Sequence, residues 1–324
     1  MKYVSLPDDT NRKLPFYLMM EEFIAREFPL EKEMFFMWQV DPTVIFGRNQ
    51  MFETEVNIPY CKEHGIQMYR RKSGGGCVYA DRNNIMFSYV TASDDVSRTF
   101  SIYTSRIVEM LRSLGIDANA NSRNDIHIGD RKVSGNAFYH IPGRSIVHGT
   151  MLYDVDHDTM EHVITPSDTK LTSKGVKSVR DHVTTIRDHC DISLEGFKDH
   201  ARRFLCDGEL QLDIADTGSI DIMSRHYFDE IWIHGNNPRG IVHHTSRVEG
   251  VGEFQVYLAV DKGIIKTLDV RGDFFLLGDI DALLLWRLWG VPYDRESAAE
   301  AVKEVEMDAI IPGLTREQFV DMLF

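Results

Sequence analysis

Helix and strand periodicities alternate along the first third of the chain. Apolar residues recur at helical spacing from Leu14 to Phe28 and from Ser97 to Leu114, where Gly115 ends the pattern. Short apolar runs typical of strands lie between these two predicted helices, with one short helix that has Pro59 in its first turn. The strands are predicted at 34–40, 43–46, 67–71 and 84–90, and the short helix at 57–64.

The second part of the chain predicts more strands, one further helix and then a separate unit. Strand patterns cover 125–128, 132–139 and 145–153, and a helical pattern covers 193–206. Residues 207–218 are polar and acidic, and an ordered pattern resumes at 222–233. Beyond 235–238, two β-patterned runs joined by Asp261-Lys262-Gly263 predict a hairpin. Helical patterns follow at 280–289, 296–305 and 315–323. We therefore predict a large domain at 1–243 and a small β-then-α domain at 244–324.

Length and composition agree with two globular domains. The chain has 324 residues, of which 43% are hydrophobic and 27% charged, so a packed core is available and wholesale disorder is excluded. No apolar run approaches the roughly 18 residues of a membrane span. The first residues lack the basic and apolar blocks of a secretory signal, so we expect a cytoplasmic protein with no membrane partner.

Charge and cysteine content exclude several classes of function. Four widely spaced cysteines without a CxxC pair indicate reduced thiols rather than a disulfide framework or a zinc ribbon. The net charge of −14 disfavours binding to nucleic acid. The segment from Cys61 to Thr150 nevertheless carries 12 Lys and Arg against 8 Asp and Glu. This local excess indicates a pocket for a small anion. The 13 histidines show no metal-ligand spacing.

The most unusual segment is RRKSGGGCVY, from Arg70 to Tyr79. Three consecutive glycines after a strand indicate close backbone approach or positive φ. Exposed amides of such a loop can bind an anion, and the two arginines could grip phosphate. A tight turn with solvated basic side chains is an alternative explanation of the same segment. Neither a Walker loop nor a Rossmann fingerprint is present.

Three further segments carry candidate chemistry. The first runs from SRND at 122–125 to GDRKVSGNA at 129–137, and by itself could be a charged hairpin turn. The second is HGT at 148–150, where the histidine could be a structural hydrogen-bonding group or a functional one. The third is the basic, glycine-containing segment 172–180, which could close over an anion.

Taken together, these segments resemble the lipoate–protein ligases of the A type, which have a C-terminal domain. The likeness begins near Leu14 and runs through RRKSGGGCVY, the pair Asn83-Asn84, SRND, GDRKVSGNA, HGT and SKGVKSVRDHV. It continues through Trp232, Gly235 and Pro238 to the GDFF segment at 272–275. The resemblance thus covers nearly the whole chain, and GDRKVSG after SGGG is its most specific part.

The resemblance implies an α/β (α+β) fold: a mixed-sheet catalytic domain like those of biotin ligases and class II tRNA synthetases, and a small α/β accessory domain. It implies an enzyme that activates lipoate with ATP as lipoyl-AMP and releases pyrophosphate. The lipoyl group then passes to a lysine of lipoyl domains, in E2 subunits of 2-oxoacid dehydrogenases and in the glycine-cleavage H protein. Mg²⁺ would arrive with ATP rather than at a metal site on the protein, and a monomer is expected.

The resemblance also implies roles for individual residues. Lys132 would be the catalytic lysine and would contact both substrates, because its point charge suits negative charge that accumulates on phosphate oxygens. The residues implied for ATP or the adenylate are Arg71, Gly76, Cys77, Val78, Tyr79 and Asn84. Those implied for lipoate are Ser73, Gly74, Gly75, Gly135 and His148. A mobile loop over the adenylate would include Lys174, Gly175 and Arg180.

Two alternatives remain open at this stage. Related transferases and amidotransferases work through a cysteine thioester without ATP, and in the amidotransferases that cysteine lies shortly before the lysine motif. Residues 117–130 contain no cysteine here, but Cys77 stands in the glycine loop, either as a small packing residue or as a thiol activated by Arg70, Arg71 and Lys72. The other alternative is a non-catalytic protein that binds lipoate or a lipoyl domain, against which Lys132 and Arg71 argue.

Overall fold

Strands and helices alternate through the computed structural model, which describes residues 1–29, 31–121, 125–164, 182–235 and 242–324. The strands are β1 (Lys2–Ser5), β2 (Met34–Trp38), β3 (Thr43–Phe46), β4 (Gln67–Arg70), β5 (Val78–Ala80), β6 (Asn84–Thr91), β7 (Ala118–Ala120), β8 (Asp125–Ile128), β9 (Arg131–Ile141), β10 (Arg144–Leu152), β11 (Gly208–Gln211), β12 (Val242–Val248), β13 (Gly252–Asp261) and β14 (Ile264–Gly272). The α-helices are α1 (Leu14–Glu27), α2 (Phe52–Glu55), α3 (Ile58–Glu63), α4 (Val96–Ser113), α5 (His157–Val163), α6 (Leu194–Leu205), α7 (Ile214–Met223), α8 (Glu230–His234), α9 (Ile280–Leu283), α10 (Arg295–Ala301) and α11 (Arg316–Asp321).

A mixed sheet forms the centre of the large domain. Within the described ranges its strand order is β11-β1-β2-β6-β10-β9-β8-β7. Strand β1 runs parallel to both β11 and β2, whereas the other pairs are antiparallel. The sequence prediction of a mixed α/β catalytic domain is therefore confirmed.

The alternation of side chains along β6 divides the large domain into two cores. Ile85, Phe87 and Tyr89 point to the face that α4 and α6 cover. Met86 and Val90 point to the opposite face, which α1 covers. Both faces are buried under helices, so residues 85–90 are hydrophobic on both faces except at Ser88 and show no polar alternation.

A small sheet of order β4-β3-β5 lies beside the main sheet and carries the glycine segment. Strand β3 pairs in parallel with β4 and antiparallel with β5, so residues 71–77 must cross the end of β3. The Arg71 amide donates to the Phe46 carbonyl at 3.0 Å, which begins this crossing.

The C-terminal unit has its own sheet and its own core. Strands β12, β13 and β14 are antiparallel, and the predicted hairpin turn holds Lys262 and Gly263 at φ of 51° and 76°. Phe254 and Phe274 stack at 4.6 Å in a core that helices α9 to α11 complete. Strand β12 begins at Val242, ahead of the boundary placed at 243/244, and that boundary stays a prediction.

Some elements differ from their prediction. The acidic segment 207–218 contains β11 and the start of α7, and the pattern at 280–289 is divided into α9 and a 3₁₀ helix at Leu285–Leu288. The other predicted helices and strands are present with ends shifted by a few residues. No helix in the described parts of the chain has the length and apolar character needed to cross a membrane.

Candidate active site

The conformation of the glycine segment is set by the buried Arg71 side chain. Its guanidinium donates to Ser73 Oγ at 2.9 Å and to the carbonyl of Ile45 at 3.1 Å. It also donates to the carbonyls of Gly74 and Gly76, at 2.6 and 2.8 Å. Burial lowers the pKa of Arg71 to about 10, so the group keeps its charge at neutral pH. Arg71 therefore acts here as the internal scaffold of the loop.

The two basic neighbours of Arg71 are also engaged by protein groups. Arg70 donates to the carbonyls of Gly47, Arg48, Gln50, Trp232, Ile233 and His234. Lys72 pairs with Glu22 at 2.5 Å. Burial favours the protonated form of Glu22, but Lys72 and Arg26 outweigh it and hold the pKa of Glu22 below its usual range. The basic triplet thus ties the loop to α1, α8 and the residues that follow β3.

Backbone conformation explains Gly75, and close packing explains Gly74. Gly75 has a φ of +85°, where a side chain would be strained. A Cβ at Gly74 would lie 2.5 Å from the carbonyl oxygen of Phe274, and the Gly75 amide donates to that same oxygen at 3.4 Å. The glycine segment therefore lies directly against the C-terminal domain.

Lys132 lies on β9 and faces its hairpin partner strand. Its Nζ is 2.9 Å from Asp125 Oδ1 on β8, and the two side chains are 22% and 19% exposed. A Cβ on Gly135 would lie 2.4 Å from Lys132 Nζ and 2.5 Å from its Cε. The absence of a side chain at position 135 therefore creates the space that the lysine occupies.

Replacing Gly135 by alanine should displace the Lys132 ammonium, because the new methyl group would need the same space. Misplacing a catalytic group by about 1 Å costs roughly 10²-fold in rate, so we expect a loss of that order in the adenylate-forming activity proposed below. The measurement is lipoate-dependent pyrophosphate release. Gly218→Ala is the matched control, since among the described residues no atom outside its chain neighbours and its own helix backbone lies within 4 Å of a Cβ built there. Equal rates in the two variants would contradict the role of Gly135.

A cavity of about 450 Å³ joins these groups. Its polar wall includes Arg71, Asp125, Lys132, Asn136, His148 and Thr150. Its apolar wall includes Leu18, Trp38, Ile45, Met86, Phe100 and Phe138. The C-terminal domain contributes Arg247, Val251, Asp273, Phe275, Leu277 and Pro312. The Phe275 ring stacks on Phe138 at 5.1 Å, so side chains of both domains close the space.

A chain of buried hydrogen bonds runs through His148, which lines the cavity. Its Nδ1 lies 2.9 Å from Glu21 Oε2, and its Nε2 lies 2.7 Å from Ser73 Oγ. A carboxylate only accepts hydrogen bonds, so the Nδ1 proton is donated to Glu21. Ser88 donates to the other Glu21 oxygen and accepts from Trp38 Nε1 at 2.8 Å. This chain links α1, β2, β6 and β10 to the glycine segment.

Most of the site residues that the sequence indicated lie at this cavity. Those that line it are Arg71, Gly75, Gly76, Cys77, Val78, Lys132, Gly135 and His148. Ser73 and Gly74 belong to the loop but do not line the cavity. Tyr79 is buried in the core behind the small sheet, and the fully buried Asn84 donates to the Tyr79 carbonyl. Lys174, Gly175 and Arg180 lie outside the described residues. The substrate-binding roles of all these residues stay predictions.

Sequence reasoning did not find the apolar wall or the contribution of the second domain. Trp38 and Met86 are ordinary strand residues in the sequence, and only the pairing of β2 with β6 brings them to one place. Arg247 lies in the C-terminal domain outside any motif, and the GDFF segment that contains Asp273 carries no indication of a site in the sequence. Among the described residues, no group of three or more His, Cys, Asp and Glu side chains could hold a metal ion.

Comparisons with known proteins agree with this geometry. The model of the lipoyl protein ligase A/B catalytic domain matches residues 14–205, and that of the bacterial lipoate protein ligase C-terminus matches residues 237–323. The lipoate–protein ligase LplJ of Bacillus subtilis is 32% identical over 318 residues, which are 95% of this chain and 96% of that protein. This chain belongs to the lipoate–protein ligase family.

Solved structures show the same fold for this lipoate–protein ligase. LipL1 of Plasmodium falciparum, crystallised with lipoate, has a TM-score of 0.78 at 19% identity and covers 99% of this chain and 97% of its own. A lipoate–protein ligase A bound with ATP has a TM-score of 0.61 at 27% identity, covering 72% and 98%. The archaeal bipartite ligase of Thermoplasma acidophilum, described with its E2 lipoyl domain, has a TM-score of 0.65 at 28% identity, covering 74% and 98%.

Proposed function

We propose that this ligase joins lipoate to AMP with ATP and then transfers the lipoyl group to a lysine of a lipoyl domain. The observation that carries the proposal is the single cavity in which Lys132 and the glycine segment meet an apolar wall. The family relatives that bind ATP, lipoate or an E2 lipoyl domain support it. The enzyme forms an amide bond and is expected to be a cytoplasmic monomer.

The first half-reaction follows from the charges that line the cavity. A lipoate carboxylate oxygen attacks the α-phosphorus of ATP, the bond from that phosphorus to the bridging oxygen breaks, and pyrophosphate leaves. Lys132 would stabilise the charge on the non-bridging oxygens. Gly75 and Gly76 border the same space. Mg²⁺ would neutralise charge on the phosphates when bound, held mainly by ATP oxygens.

The apolar wall suits the hydrocarbon chain and ring of lipoate. Leu18 on α1, Trp38 on β2 and Met86 on β6 line the cavity and extend into the core beneath α1. A ligand carbon chain buried there gains roughly 0.8 kcal/mol per methylene. We propose that lipoate lies against this wall with its carboxylate directed toward Lys132.

The second half-reaction needs a neutral amine from the acceptor. That amine would attack the carbonyl carbon of lipoyl-AMP, the carbon–oxygen bond to AMP would break, and AMP would leave with the bridging oxygen. The amine nitrogen would release one proton to solvent as the amide forms. Lys132 can stabilise charge on the same phosphate as it departs. Lipoyl domains of E2 subunits and of the H protein are the acceptors we expect.

The test of this function is a two-step assay of the purified chain. With lipoate and Mg-ATP, we expect pyrophosphate release and a species with the mass of lipoyl-AMP. A lipoyl domain added afterwards should gain one lipoyl group. Cys77→Ala should remain active in both steps, because the proposed route forms no thioester. An ATP-independent reaction, a covalent acyl group on Cys77, or tight lipoate binding without lipoyl-AMP would contradict the proposal.

A further inference from the structure

Arg247 is a cation that the C-terminal domain contributes to the cavity. It lies on β12, and its side chain lines the same space as Lys132 and Arg71. Its Nε and Nη1 atoms are buried and have no hydrogen-bond partner among the residues that the structure describes. Buried guanidinium N–H groups are almost always paired, since leaving them without an acceptor is costly. This arrangement therefore indicates an acceptor that arrives with a ligand.

The other described cations on the cavity wall already have partners. Lys132 forms an ion pair with Asp125, and Arg71 donates to Ser73 Oγ and to three carbonyl groups. The carboxylate that the C-terminal domain adds, Asp273, accepts from the Glu253 amide at 2.6 Å. Arg247 is partly exposed at the cavity wall and no described acceptor holds its Nε or Nη1, so a rotation of the side chain can bring these donors to an anion.

The chemistry of that anion follows from the reaction, so the inference rests on the function proposed above. Lys132 and the glycine segment account for the carboxylate, the α-phosphate and the adenylate. The β- and γ-phosphates remain, and they take the electron pair when the bond to the α-phosphorus breaks. A guanidinium can bind two phosphate oxygens at once, which suits this leaving group.

We propose that Arg247 binds the β- and γ-phosphates of ATP and the pyrophosphate formed from them. The C-terminal domain then takes part in activation of lipoate through this side chain. Lipoyl-AMP carries neither of these phosphates. Arg247 is consequently needed in the first half-reaction and dispensable in the second, and this separation of the two steps provides the test.

The direct test is calorimetric binding of inorganic pyrophosphate to the full chain. Arg247→Gln should weaken this binding by roughly 10- to 100-fold, as expected for loss of charge-assisted hydrogen bonds. Arg247→Lys should recover part of it. Arg287→Gln is the matched control, because Arg287 is exposed and lies away from the cavity. Equal pyrophosphate affinity of the Arg247→Gln and Arg287→Gln chains would overturn the proposal, as would weakened lipoate binding with unchanged pyrophosphate binding.

A kinetic test separates this role from a structural one at the domain contact. In Arg247→Gln, lipoate-dependent pyrophosphate release should fall and the KM for ATP should rise. Transfer from preformed lipoyl-AMP to a lipoyl domain should stay at the level of the unaltered chain. Equal loss of both steps would overturn the proposal, because it would show that Arg247 maintains the domain contact. If Arg247→Gln does not fold, Arg247→Lys provides the comparison, with a smaller loss of pyrophosphate release expected because the positive charge is kept.

Failure of the proposed function gives a different result. In that case the unaltered chain neither forms lipoyl-AMP nor transfers from it, whereas the pyrophosphate-binding comparison still reports on Arg247. A difference between Arg247→Gln and Arg287→Gln in that assay would support a phosphate site at Arg247 by itself.

Discussion

Replacing Lys132 by alanine is expected to reduce lipoate-dependent pyrophosphate release by about 10²- to 10³-fold, the usual effect of removing a preorganised donor from the transition state. The ammonium group is held at 2.9 Å from Asp125 on the wall of the cavity, so its charge would act at short range on a bound substrate. The measurement is the initial rate of pyrophosphate release at saturating lipoate and Mg-ATP.

The control for Lys132→Ala is Lys266→Ala, which removes an exposed lysine from β14. Both variants should unfold at nearly the same temperature as the unaltered chain, because Lys132 is partly exposed and its ion pair contributes little to stability. A Lys132→Ala chain that forms lipoyl-AMP at the control rate would contradict the proposed mechanism.

Replacing Arg71 by methionine is expected to lower the free energy of unfolding by about 3 kcal/mol and to abolish both half-reactions. The substitution leaves the carbonyls of Ile45, Gly74 and Gly76 without their donor, and each unsatisfied buried group costs roughly 1–3 kcal/mol. Loss of buried charge offsets part of this cost. Urea denaturation of the purified chain measures the stability term.

The control for Arg71→Met is Arg203→Met on α6, where an exposed arginine donates to the Asp199 carbonyl at 3.3 Å. This change should alter the free energy of unfolding by less than about 0.5 kcal/mol. If Arg71→Met keeps the stability of the control but loses affinity for ATP, Arg71 is a phosphate ligand rather than the scaffold of the loop. That outcome would support the phosphate-binding role that the sequence indicated for Arg71.

The parts of the fold that sequence predicted well are those with a strong local period. Helix α4 shows its buried stripe in the sequence, and the hairpin of β13 and β14 shows its turn residues. Strand β11 was missed because it is a polar edge strand, with three of its four residues exposed. It is ordered by parallel pairing with β1, some two hundred residues earlier, and no local pattern encodes that pairing.

In the candidate site, too, the features with a local sequence motif could be predicted, and those that depend on contacts between distant residues could not. The glycine segment, Lys132 and His148 carry motifs, and the structure brings them to one cavity. The direction in which Arg70 and Arg71 point could not be predicted, because it depends on carbonyl groups of residues 45–50 and 232–234. Arg247 and Phe275 reach the cavity only through the packing of one domain on the other, which a single sequence does not specify.

Both domains line the cavity, so binding of a ligand there and the contact between the two domains stabilise each other. The Phe275 ring stacks on Phe138 and the Phe274 carbonyl accepts from the Gly75 amide, and these contacts hold the two domains together. A molecule that touches both walls adds its binding free energy to that contact by mass action. A bound acyl-adenylate would therefore strengthen the contact between the two domains. Its reactive anhydride would be shielded from water for as long as the acyl-adenylate stays intact. Transfer of the acyl group would remove this bridging molecule. The contact between the two domains would then weaken after each turnover, and the products would be released.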